Sequence, residues 1–164
     1  MSVGTDVRGS AHARGIGWRL AWLDEVLQRG SGNARSCFDS RFVKLHMDNL
    51  SAFNHFHDWY MDTIHLSIER ETLTLGLYLQ DQRASVSFVG TNRCLLENLG
   101  PQNIVYAIEI VEPGTSRFEK AQQILAKAER WTDGQPGIVA QVFSTCGAEL
   151  VVEFDSLEIE SQAS

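Results

Sequence analysis

The sequence predicts an α+β domain: a mainly antiparallel sheet of about six strands with one amphipathic helix, residues 116–131, packed on it. Three observations carry this. From Met47 onward, short runs alternate apolar and polar residues, the pattern of strands buried on one face. The links between many of these runs are short, which favours hairpins. One stretch, SRFEKAQQILAKAERW, has helical periodicity instead.

MDNLSAFNHFHDW begins with a helical turn or two, since Leu50, Phe53 and Phe56 recur every three residues. TIHLSIE then places Ile64, Leu66 and Ile68 on one face, and TLTLGLYLQ does the same with Leu73, Leu75, Leu77 and Leu79. ASVSFVG supplies a third strand with Val86 and Phe88 inward. TNRCLLENLGPQ reads as a short helical turn stopped by Gly100 and Pro101. In NIVYAIEIVEPG, Ile104, Tyr106, Ile108 and Ile110 share the inward face. The helix that follows carries a capping box, Ser116 and Glu119, and an apolar stripe through Phe118, Ala121, Ile124, Leu125, Ala128 and Trp131. GIVAQVFS and AELVVEFDSLEIE are the last two strands. Leu150, Val152 and Phe154 are in phase whereas Leu157 and Ile159 are one step out, so a bulge is expected near Ser156.

Residues 1–46 read as a poorly ordered extension, rich in Gly, Ser and Arg, with one short amphipathic helix within GWRLAWLDEVLQRG. Residues 47–164 form the single domain, expected to fold by itself. Charge divides at the same place. The first 46 residues hold seven Lys and Arg against four Asp and Glu, and the remainder holds seven against seventeen, within an overall net charge of −7. So acidic a body repels nucleic acid and favours a basic protein partner. No run is apolar and long enough for a membrane helix, and no signal-peptide pattern opens the chain. Three cysteines without a C-x-x-C spacing suit a reducing compartment, so the expected location is cytoplasmic.

HFHDWYMDTIH concentrates polar chemistry. His55 and His57 alternate along an extended segment, and with Asp58 they could chelate a metal, Asp58 or Asp62 serving as base. A metal-dependent hydrolase built on His55, His57 and Asp58 is therefore the alternative function. Against it, no histidine follows His65, and His65 falls in the polar phase of its strand. The favoured reading is structural. His57 and Asp58 hydrogen-bond backbone groups where the chain enters the sheet, beside Trp59, and no metal or other cofactor is expected. Cys94 and Cys146 have no downstream histidine to act as base. The acids Glu149, Glu153, Asp155, Glu158 and Glu160 alternate with apolar residues near the end of the chain, an expected anionic stripe for a basic partner.

F-H-D-W-Y, the Leu-rich hairpin, A-S-V-S-F-V-G and N-I-V-Y-A-I-E-I together resemble a group of small uncharacterised bacterial proteins. Some of these are regarded as immunity proteins that neutralise toxins of polymorphic toxin systems. The resemblance covers residues 47–111 and implies a cytoplasmic binding protein with no catalytic residues, its partner a toxin domain.

Overall fold

The computed structural model describes residues 40–131 and 137–162. The expected helix within residues 17–30 lies outside the described residues. Helix α1 (Ser40–Ser51) leads through a short turn (Asn54–Phe56) into strands β1 (Tyr60–Ser67), β2 (Thr72–Leu79), β3 (Gln82–Val89), β4 (Arg93–Glu97) and β5 (Ile104–Val111). Helix α2 (Ser116–Leu125) follows, then β6 (Ile138–Cys146), β7 (Glu149–Phe154) and β8 (Ser156–Gln162). The fold is α+β with an antiparallel sheet, as expected. Among the described residues that sheet has eight strands rather than about six, in the order β4-β7-β6-β5-β1-β2-β3-β8.

The two extra strands have one cause. Val89 pairs with Ser156, and Arg93 pairs with Glu153, so the segments 82–97 and 149–162 stay together while both bend. Gly90, Thr91 and Asn92 make the corner on one segment and Asp155 makes it on the other. The Asp155 N–H donates to the Val89 carbonyl at 2.9 Å and the Asn92 N–H to the Glu153 carbonyl at 2.9 Å. Strands that switch from one half of a sheet to the other do so at such a bend. The bulge expected near Ser156 is thus a strand break. The expected helical turn at 91–101 is β4, because its backbone pairs with β7. Gly90 has φ +70, and a Cβ there would lie 2.6 Å from the Asp155 carboxyl carbon, so this corner requires glycine.

The result is two four-stranded halves, β1-β2-β3-β8 and β5-β6-β7-β4, whose inner faces share one core. Leu75, Leu77, Val86, Phe88, Ile108, Val142, Leu150, Val152 and Phe154 are buried there. Leu157 and Ile159 rejoin the inner phase opposite Phe88 and Val86, since Asp155 takes up the extra step. Val43, Leu50, Phe56 and Trp59 complete the core from α1 and the turn. Helix α1 spans Met47, the expected start of the domain, and Val43, His46 and Leu50 form its buried face. His46 lies edge-on to Phe154, neither ring nitrogen has a hydrogen-bond partner, and burial lowers its pKa, which keeps the ring neutral.

On the other side of the second half, α2 lays Ala121 and Leu125 against Val111, Val139 and Val151. Its N-cap is Thr115, whose hydroxyl accepts from the Phe118 N–H at 3.2 Å, rather than Ser116. It ends at Leu125 rather than 131, where tighter bonds from Lys127 N–H to the Ile124 carbonyl and from Ala128 N–H to the Leu125 carbonyl close the last turn. Tyr106 points outward, 55% exposed, because irregular pairing with β6 between Val105 and Ala107 shifts the phase of β5.

Candidate functional site on the uncovered sheet face

The polar residues of HFHDWY belong to local structure. Asn54, His55 and Phe56 all have positive φ (50, 54 and 60), and Asp58 has φ 66. Consecutive left-handed residues are rare outside glycine. Here the turn drives Phe56 and Trp59 into the core, their rings T-shaped at 5.2 Å. His55 Nδ1 lies 3.2 Å from the Ile108 carbonyl oxygen. His57 Nδ1 is 3.1 Å from the Asp58 carboxylate, and its ring leans on Tyr106. The expected backbone bonds thus come from His55 and from the Asp58 amide, which donates to the Val105 carbonyl. His57 and Asp58 are paired with each other instead, at the surface. Among the described residues, no three His, Cys, Asp or Glu side chains converge as a metal site would require.

The acidic stripe is divided. Glu149 stands exposed opposite Glu97 at the β4 end of the sheet. Glu153 is completely buried beneath α2, which corrects the expectation of an exposed residue. Its carboxylate accepts from Arg93 Nε at 3.0 Å, from Asn92 Nδ2 at 3.2 Å and from Arg130 Nη1 at 3.2 Å. Arg93 also donates to Gln122 of α2 at 2.8 Å, so the cluster fastens helix to sheet. The strand's polar phase is wet only where nothing covers it, and α2 covers this part.

Asp155 occupies the corner, its carboxyl turned back over Gly90. Asp155 is exposed as a residue, but partial burial of its carboxyl raises its pKa above the ordinary 3.8, and the charges of Glu71 and Glu153 raise it further. A raised acid pKa means that the folded state favours the proton. The associated stability is complete below the unfolded value and is lost as pH rises through the folded value. Asp155→Asn is therefore expected to raise the urea midpoint at about pH 7 while changing little near pH 3. An unchanged midpoint at neutral pH would show that the ionised carboxyl is tolerated there.

Glu158 and Glu160 remain exposed, and they belong to a coherent surface. In register across four strands lie His65, Thr74, Ser87 and Glu158, and in the next row Thr63, Gly76, Ser85 and Glu160. All point away from the core. Among the described residues no helix covers this face, and its small side chains form the floor of a trough of about 700 Å³ lined by His65, Arg70, Thr74, Ser87, Glu158 and Glu160, among others. Thr74 and Ser87 share a hydroxyl hydrogen bond of 2.9 Å.

At one end a bulge in β1 between Met61 and Thr63 brings Asp62 to the same face. Thr63 Oγ1 donates to the Asp62 carboxylate at 3.1 Å and Arg83 donates to it at 2.9 Å. Gly76 makes room for the bulge, since a Cβ there would sit 2.8 Å from Thr63 Cβ. Beyond it Tyr60 and Tyr78 stack at 5.2 Å, with the Arg83 guanidinium 5.5 Å from the Tyr78 ring centre. The face therefore offers carboxylates, hydroxyls and aromatic edges, a set suited to cationic, hydrogen-bonding groups. The two glutamates are legible in the alternation of β8 itself. The hydroxyl floor was present in the polar phase of T-L-T-L-G and S-V-S, but its assembly with β8 required the pairing order.

Compared with known proteins, the chain matches no family model and no curated protein.

Proposed function

We propose that this protein is a cytoplasmic, non-catalytic binding protein that takes a basic protein partner on the exposed face of β1-β2-β3-β8, in the manner of an immunity protein neutralising a toxin domain. The observation that carries the reading is the placement of Glu158 and Glu160 beside a floor of small hydroxyl side chains that no helix among the described residues covers. A net charge of −7 adds a long-range field that draws a cationic protein and disfavours nucleic acid. Such steering acts on the association rate and is screened over about 8 Å at physiological ionic strength.

The test is co-expression with the product of the adjacent gene, followed by association kinetics. The wild-type chain should restore growth and co-purify with that product. The variant Glu158→Lys with Glu160→Lys should associate about tenfold or more slowly at low salt, the difference shrinking as salt is added. Both positions are exposed, so its urea midpoint should stay near wild type. Neither rescue nor co-purification by wild type would remove the proposal.

A further inference from the structure

The geometry points to β1 as the strand on which the partner docks, by adding a β-strand to its free edge. This rests on the binding role proposed above and names how the partner is held. β1 pairs with β2 along its length but meets β5 only at Tyr60 and Ile104. The last bonds across that seam run from Met61 N–H to the Asn103 carbonyl and from Val105 N–H to the Trp59 carbonyl, each 2.8 Å. Beyond them, among the described residues, no strand lies beside residues 62–67 on that side. A row of peptide groups is thereby left without sheet partners, and such an edge is a template for another strand.

Two further observations give the edge an occupant. Ile64 and Leu66 are in the inner phase, opposite the buried Leu75 and Leu73, yet Leu66 is 44% exposed, and Ile68, in the turn just past the end of β1, is 77% exposed. Most apolar residues in the inner phase of a completed sheet are covered, so these mark where the core surface continues past the last strand. At the head of the edge a cleft of about 660 Å³ separates Asp62, Thr63 and Ile64 from Leu99, Pro101 and Gln102, leaving space for a chain to enter. On the outer phase the edge carries Asp62 and His65, next to the acidic trough. The strand that fits alternates apolar residues, covering Leu66 and Ile68, with Lys or Arg facing outward. A second copy of this chain fits poorly, since each carries −7.

The full chain, ¹⁵N-labelled, would be titrated with a short peptide alternating lysine and valine and followed by amide exchange. Slowed exchange at alternate amides of residues 62–67 is expected. Binding should weaken about tenfold, equivalent to ~1.4 kcal/mol, in the variant Leu66→Gln with Ile68→Gln, whose exposed positions leave the fold intact. Binding that is lost in Glu158→Gln with Glu160→Gln, without protection at residues 62–67, would overturn the edge assignment and leave the acidic-face reading standing. Equal protection by a peptide alternating glutamate and valine would support the edge and overturn the basic partner. Concentration-dependent dimerisation abolished by Ile68→Gln would overturn the heterologous occupant.

Discussion

Glu153→Lys is expected to cost about 3–5 kcal/mol of stability or more, enough to unfold most of the population of a marginally stable domain. Glu153 is fully buried and answers two guanidiniums, Arg93 and Arg130, together with the Asn92 amide. Whether a buried ion cluster outperforms apolar packing is a separate matter, because desolvation offsets much of its attraction. Removing one partner is different. The two arginines would keep their charge beside a site shut from water, and lysine would add a third cation. The damage should spread to α2, which Arg93 holds through Gln122. Glu153→Gln should cost less, since its amide oxygen still accepts a hydrogen bond. Urea unfolding at neutral pH gives the comparison, with Glu158→Lys as the exposed control, expected within about 0.5 kcal/mol of wild type. A Glu153→Lys protein within 1 kcal/mol, roughly, of wild type would mean that the site of Glu153 is open to solvent.

Phe56→Ala should be comparably severe, about 3–5 kcal/mol. The ring is completely buried, stacked on Phe53 at 5.0 Å and T-shaped to Trp59 at 5.2 Å. It also holds an unfavourable backbone in place. Left-handed conformation costs on the order of 1–2 kcal/mol per residue for side chains with a Cβ, somewhat less for Asn, and three consecutive residues adopt it here. Without the ring, the turn has less reason to keep that conformation, and its relaxation would move His55 off the Ile108 carbonyl and His57 off Tyr106. The loss should appear as a lower urea midpoint together with changed ¹H–¹³C shifts of the His55 and His57 rings. Phe53→Ala, at a half-buried position, is the milder control. Unchanged histidine shifts in a destabilised Phe56→Ala protein would show that the turn keeps its shape without the ring.

The alternation of single strands was legible because it is a local property. Leu73, Leu75 and Leu77 are buried where their period places them, as are Val86 and Phe88. The failures share a pattern. Tyr106 reads as inward, but irregular pairing of β5 with β6 turns it outward, and nothing local in N-I-V-Y-A-I marks the shift. Leu66 keeps the inner phase and is still exposed, since burial depends on whether β5 continues alongside β1, and Ile68 falls in the turn just past the strand. Helix α1 crosses Met47 although charge and composition change there, because Val43 and His46 find the core that Leu50 also reaches.

The sequence by itself determined the α+β class, most strand positions, the amphipathic face of α2 and the acidic balance of the chain. Each follows from period and propensity within windows of about 11–18 residues or from composition along the chain. Tertiary structure alone decided which polar residues meet water. Glu153, Glu158 and Glu160 occupy the same kind of position in sequence, polar residues alternating with apolar ones. α2 packs over the face that carries Glu153, and among the described residues no helix packs over the face that carries Glu158 and Glu160. Alternation sorts side chains between the two faces of a strand. Only the packing of distant elements determines which of those faces becomes interior, since the same apolar attraction that buries one face can bury the other once a helix is available to cover it.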